Sequence, residues 1–253
     1  MNVVLSLCAA TPREHLLLTA FGGEVAAYAL EALRGVLPDA RIAGACCDER
    51  GLALLRAHGV EPRFDMDAAD GEPAWMQCAR AVAGPEERLV VSPLAGRVTP
   101  GRMRAMLAAR QRRPGEALAS TQRLADNSNP LWCRPLPGDA EWRAQFFEAG
   151  EVAAFQPEQW LSAEALEEFP TVKDFRGRQS LPDFHQVDGA LVFVPRDMDI
   201  PAQGPWWFEP VLLKDADEET DMPLAYRLPI LDMHEDVAFS GLEALAGASG
   251  GPA

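Results

Sequence analysis

The sequence predicts an α/β fold, a Rossmann-like three-layer sandwich on a mostly parallel or mixed sheet, and three observations predict it. Short runs at 3–8 (VVLSLC), 41–47 (RIAGACC), 88–92 (RLVVS) and 189–194 (GALVFV) are nearly continuous in apolar character, as strands covered on both faces are. Longer segments between them carry apolar residues at helical spacing and stop at Gly or Pro-Gly. The two kinds of segment alternate through the first half of the chain. Such alternation stacks helices on both faces of a sheet and leaves a ligand crevice at the carboxyl ends of its strands.

Taken in order, residues 3–8 make the first strand because a β-branched, uncharged run suits a doubly covered position. The span AATPREHLLLTAFGG that follows reads as a connecting loop, and 25–36 (VAAYALEALRGV) as a helix with Tyr28, Ala29, Ala32 and Leu33 on one face. Residues 41–47 form the second strand and 49–58 a helix ended at Gly59. A helix at 74–82, a strand at 88–92 and a helix at 101–113 follow, the last stopped by Pro114-Gly115, and 117–121 forms another strand. From about residue 136 the rhythm changes to an acidic stretch carrying Trp142, Phe146, Phe147, Phe155 and Trp160, read as an attached helical unit. The strand at 189–194 returns to the sheet, and a strand at 228–233 and a short helix at 235–245 close the chain. One domain over 1–245 is therefore expected, including an acidic, aromatic insertion at 137–185, with a flexible small-residue tail at 246–253.

Composition limits the partners. The 253 residues carry 38 acidic against 23 basic side chains, a formal charge of -15, which disfavours attachment to DNA, RNA or an anionic membrane while leaving a single nucleotide possible. Of the basic residues only Lys173 and Lys214 are lysines, so phosphate contacts fall to guanidinium groups, backbone N–H groups or a metal. The apolar stretch 3–10 has no basic flank and is cut by TPREH, and no run approaches the roughly 18 apolar residues needed to span a bilayer, so a cytoplasmic protein is expected. Cys8, Cys46, Cys47, Cys78 and Cys133 contain no CxxC, so neither a disulfide scaffold nor a structural zinc site is indicated.

No GxGxxG fingerprint or Walker loop follows the first strand. Candidate residues instead sit near predicted strand ends: Arg13 and His15, Asp48 and Glu49, Ser92 and Arg97, Asp188, and the run Asp232, His234, Glu235 and Asp236. In a doubly wound sheet such loops converge, so that carboxylates can hold magnesium while an arginine neutralises phosphate oxygens. Asp48 has two readings, a cap for the helix after it or a ribose or base contact at the crevice rim. Asp232, ending an apolar strand, is placed to reach a hard metal ion, whereas Asp236 suits the first turn of a helix. No second histidine has zinc spacing to His234, and Ser92 has no nucleophile-elbow context. Residues 95–134 are locally basic; Arg110, Arg112 and Arg113 suit either a helix C-terminus or an acidic substrate. The acidic run 215–221 reads as a solvated loop, and Trp206, Trp207 and Phe208 as a packed edge.

The ordered segments VVLSLCA, AFGGEVAAYALEAL, IAGACCDERGLALLRAHGV, LVVSPLAGRVT, NPLW, VDGALVFVPRD and PILDMHEDV, spread from residue 3 to about residue 245, resemble the acylneuraminate cytidylyltransferase (CMP-sialic acid synthetase) family. The resemblance implies a nucleotide-diphospho-sugar transferase type of fold and a homodimer formed through the 137–185 insertion. It also implies transfer of CMP from CTP to an acidic nine-carbon sugar, with magnesium, for surface glycan synthesis. Carried onto this sequence, it makes Arg13 and Asp232 catalytic, assigns Arg13, Asp48 and Arg97 to CTP, Asp188 and Gly189 to the sugar, and Asp232 to the metal. The first loop departs from the family pattern in lacking its lysines and glycines, Ile230 stands at the first of two metal-aspartate positions, Asp188-Gly189 replaces Asn-Gly, and SPLAGR leaves Arg97 offset by one residue. These departures motivate an alternative: a catalytically inactive relative acting as a dimeric scaffold or regulator.

Overall fold

The structure, a computed structural model, describes residues 1–66, 72–123, 147–148, 184–200, 208–211, 213 and 222–227. Eight strands form one mixed sheet: β1 (Asn2–Ser6), β2 (Arg41–Cys46), β3 (Glu61–Asp65), β4 (Arg88–Val91), β5 (Leu118–Arg123), β6 (Phe147–Glu148), β7 (Phe184–Val194) and β8 (Glu209–Val211). Their order is β3-β2-β1-β4-β7-β5-β8, with the two-residue β6 paired to β7. Strands β1 to β4 are mutually parallel, β7 runs antiparallel to β4 and β5, and β8 is parallel to β5.

Five helices lie among the described residues: α1 (Pro12–Val36), α2 (Glu49–Ala57), α3 (Ala74–Val82), α4 (Pro100–Arg112) and α5 (Leu224–Arg227). Because side chains alternate along a strand, Val3 and Leu5 of β1 face one core cluster with residues of α1, α2, α4 and α5, while Val4 faces a second with Trp75, Met76, Cys78 and Ala79 of α3. The result is the expected α/β three-layer arrangement. Leu5, Val90, Val91 and Val192 are fully buried, which is why these strands read as unbroken apolar runs.

The structure corrects three expectations. Residues 12–23, expected as loop, form the first half of α1: Thr11 caps it, Pro12 occupies its first turn, and Thr11 and Glu14 make a reciprocal capping box. An 18-residue window of α1 has a mean hydropathy of 1.4, so, against expectation, one helix is apolar and long enough to cross a membrane by composition. Half of that window is buried inside this fold, where Leu17, Leu18, Val25 and Leu33 pack in the first core cluster. The third correction is β3, an edge strand not expected from the sequence.

Strand β7 begins at Phe184, earlier than expected, and is interrupted midway. Ala119 pairs with Val192 but Thr121 with Val187, so four residues of β7 bulge opposite Ser120. Gly189, at φ +65, makes the bend; a Cβ there would stand 2.2 Å from the Trp75 indole. The expected elements at 228–233 and 235–245, the tail at 246–253, and the 137–185 insertion apart from residues 147–148 and 184–185 lie outside the described residues.

Candidate active site at the carboxyl edge of the sheet

The chain moves outward from β1 to β2 and β3, then returns to add β4 on the other side of β1. Between β1 and β4 the strand order therefore reverses, the position at which such sheets carry a ligand crevice, although α1 and α4, which follow these two strands, pack in one core cluster on the same face of the sheet. Arg13 stands in the first turn of α1, just after β1, and Arg97 in the loop between β4 and α4. Asp48 follows β2. Because β7 is antiparallel, with Val91 opposite Leu191 and the Ser92 N–H donating to the Ala190 carbonyl at 2.8 Å, Asp188 and Gly189 come to the same edge. Five of the six residues to which the resemblance assigns a role thus share one end of the sheet; Asp232 lies outside the described residues.

Their local roles differ. The Asp48 carboxylate caps α2, accepting from the Gly51 N–H at 2.6 Å through one oxygen. Gly51 is required there, since a Cβ would lie 2.7 Å from the Leu7 carbonyl oxygen and push α2 off the end of β1. Asp188 is sealed: its side chain has no exposure, one oxygen pairs with Arg102 of α4, and the other accepts from the Ser120 hydroxyl and from the Ala190 N–H at 3.0 Å. Arg102 also donates to the Thr121 carbonyl at 3.0 Å, and the Ser120 hydroxyl accepts from the Leu191 N–H at 2.9 Å. Gly96 forms the roof, because a Cβ there would come 2.9 Å from an Asp188 oxygen. A sugar contact by this carboxylate would require the buried pair to open.

Two further features stand at this edge: Glu14, which the sequence did not single out, and Ser92, which it placed at a strand end without a role. Glu14, 6% exposed, folds back so that one oxygen accepts from the Ala10 and Thr11 N–H groups at 2.9 and 3.0 Å. Those amides end the β1–α1 loop, where an anion would otherwise bind a helix N-terminus. Burial raises the Glu14 pKa, opposed by these hydrogen bonds and by the neighbouring Arg13. Its signature was visible as Thr11-x-x-Glu14. Ser92, at the carboxyl end of β4, is the second: its hydroxyl is buried with no hydrogen-bond partner among the described residues.

Magnesium is the ion the family resemblance implies. Among the described residues no three His, Cys, Asp or Glu side chains converge to hold a metal, so they do not by themselves fit that ion. At the opposite edge of the sheet lies an open concavity of about 650 Å³. Its Arg113 pairs with Glu116 at 2.6 Å and with Glu209 at 2.8 Å, so much of its charge is compensated internally.

Comparison with known proteins adds a remote structural likeness. A solved CMP:2-keto-3-deoxy-manno-octonic acid synthetase, complexed with CTP, is similar over 78% of this chain and 74% of its own, at 12% identity and a TM-score of 0.46. No protein-family model matches the chain. No curated protein sequence matches it either.

Proposed function

We propose that the chain is a cytidylyltransferase-like protein of the nucleotide-diphospho-sugar transferase type, taking a cytidine nucleotide between the carboxyl ends of β1 and β4. The observation that carries this reading is the reversal of strand order there, flanked by loops bearing Arg13 and Arg97. The buried Ser92 hydroxyl at the same strand end, unpaired among the described residues, is consistent with a polar ligand. The reaction is attack of the anomeric hydroxyl of an acidic nine-carbon sugar on the α-phosphate of CTP, with release of pyrophosphate. In it the protein aligns attacker and leaving group and neutralises growing phosphate charge. Arg13 and Arg97 would supply the neutralisation, and the Asp48 oxygen not used by the cap would accept a ribose hydroxyl. Asp232 would hold magnesium, whose contribution is to polarise phosphate oxygens.

Transfer is expected to be weak, because the first loop offers no lysine and its last amides are already satisfied by Glu14. That same contact favours the second reading, a catalytically inactive relative serving as a homodimeric scaffold or regulator in surface glycan synthesis. Calorimetric titration with CTP, CDP and CMP, with and without magnesium, tests the first reading. Saturable binding by at least one nucleotide is expected, and no heat from any of the three would overturn the nucleotide site and leave the scaffold.

A further inference from the structure

We propose that Cys8 and Cys47 form a redox-active thiol pair, which a hydroperoxide converts into an intramolecular disulfide that ties the carboxyl end of β1 to that of β2. The inference does not depend on a nucleotide site, and it begins from register. Strands β1 and β2 are parallel, with Ser6 opposite Ala45, and the ladder continues through a bond from the Leu7 N–H to the Ala45 carbonyl at 2.9 Å. Two residues further on, Cys8 stands across from Cys47. Neighbouring strands run about 4.7–4.9 Å apart, inside the Cα separation of roughly 4.4–6.8 Å that disulfides span. Both side chains face α3, where they join one core cluster.

The two sulfurs are unequal in a way that suits the chemistry. Cys8 is buried, with the Met66 thioether 3.8 Å from its sulfur, while Cys47 is only partly buried and reachable from solvent. Cys47 also receives the Ala9 N–H at 3.4 Å. In its protonated form Cys47 donates to the Ala9 carbonyl at 3.5 Å. Interaction with the Cys8 thiol is the largest influence lowering the Cys47 thiol to about 7, with the Ala9 N–H adding to it against the effect of burial. The same interaction, followed by burial, raises Cys8. Neighbouring thiols are poor substitutes. Cys46 points to the opposite face, among residues of the other core cluster, and Cys78 is wholly buried and pushed up to about 12.

The steps balance. The Cys47 thiolate attacks the terminal oxygen of the hydroperoxide and the O–O bond breaks. The other oxygen leaves as an alcohol, or as water from hydrogen peroxide, after taking a proton from solvent. Cys47 is now a sulfenic acid, oxidised by two electrons while the peroxide is reduced by two. The Cys8 sulfur then attacks the Cys47 sulfur, the S–O bond breaks, and the Cys8 proton leaves with the hydroxide as water. The closed bridge removes the thiolate that accepts the Ala9 N–H and re-anchors the chain just before Thr11, the cap of α1.

The test is oxidation of the folded protein by a small excess of hydrogen peroxide, followed by alkylation, trypsin digestion and mass spectrometry. The expected result is a mass loss of two hydrogen atoms and a linked pair of peptides covering residues 1–13 and 42–50, with fragmentation assigning the bridge to Cys8 and Cys47. Cys47→Ser is expected to abolish the link, Cys78→Ser to leave it, and urea before oxidation to slow it at least tenfold. Stepwise oxidation of Cys47 to the sulfinic acid without linkage would overturn the proposal. So would a bridge from Cys46, or a link that forms equally fast in urea.

Discussion

Arg102 and Asp188 lie 86 positions apart in the chain, yet their side chains are 2% and 0% exposed and joined in an ion pair that also engages Ser120 and Thr121. Nothing in the sequence joins them: Arg102 sits in a locally basic stretch and Asp188 before an apolar run, and their partnership exists only because β7 inserts between β4 and β5. Burying both charges is tolerable because each satisfies the other, so removing one leaves an uncompensated ion. Asp188→Ala is therefore expected to destabilise the fold by about 3–5 kcal/mol in urea unfolding. A double replacement by apolar residues of similar volume should recover much of the loss, and additive losses would argue against the pair. Glu14 gives a pH-dependent counterpart. Its folded pKa lies above its ordinary 4.5 because burial disfavours the carboxylate. Its protonated form therefore stabilises the fold below the ordinary value, and that contribution is lost as pH rises through the raised one. Unfolding curves should show wild type losing stability relative to Glu14→Gln as pH rises above the ordinary carboxylate range; a constant difference would contradict the shift.

At the scale of elements, legibility followed how single-minded each segment is. Strands β1, β2 and β4 were readable because burial on both faces leaves their interiors almost wholly apolar, with Asn2, Arg41 and Arg88 only at their starts. Strand β3, reading EPRFD, was not, because it forms one edge of the sheet: Glu61, Arg63 and Asp65 are exposed, and Pro62 has no N–H to give to a ladder. The amino-terminal half of α1 was missed for a different reason. Thr11-Pro12-Arg13-Glu14 carries the signature of a helix start, but the span it opens, through Gly22-Gly23, reads as a connecting loop. In the fold Gly22 is where α2 crosses α1: a Cβ would meet the Leu54 side chain at 2.8 Å, while one on Gly23 would meet Leu54 at only 3.8 Å. The two adjacent glycines should thus respond oppositely. Gly23→Ala is expected to raise stability by about 0.5–1 kcal/mol through helix propensity. Gly22→Val is expected to lower it by about 1–3 kcal/mol through overpacking against α2. Thermal or urea unfolding of both variants checks the signs, and a shared sign would contradict the crossing. The start of α1 also bears on the site. Glu14→Ala frees the Ala10 and Thr11 amides and removes a carboxylate from the anion position, at a cost of about 1 kcal/mol in capping. Under the proposed nucleotide reading, CTP affinity should rise roughly tenfold, the worth of one charge-assisted hydrogen bond. Calorimetry on the variant measures it, and an unchanged affinity would remove Glu14 from the crevice.

The whole molecule sets the conditions under which two arginines can matter. The chain carries a charge of -15, and a globule of its length has a radius of gyration of about 18 Å. A triphosphate of charge about -4 at the crevice, roughly 25 Å from the centre, meets an unscreened repulsion of order 10 kcal/mol in water. Two guanidinium groups within about 5 Å of its oxygens return an attraction of order 7 kcal/mol. At about 0.01 M salt the Debye length is near 30 Å and both terms survive, with about 4 kcal/mol of repulsion offsetting much of about 6 kcal/mol of attraction. At about 0.1 M it falls to near 10 Å, which suppresses the long-range term more than tenfold and the short-range one by less than half. Raising salt across this range should therefore strengthen the binding of CTP severalfold and speed its association, the reverse of what a basic nucleotide site shows. Stopped-flow association measured at both ionic strengths decides the matter. A rate that falls with salt would mean that the arginines of the β1–α1 and β4–α4 loops dominate the field at the crevice, and that the acidic surface does not govern approach to it.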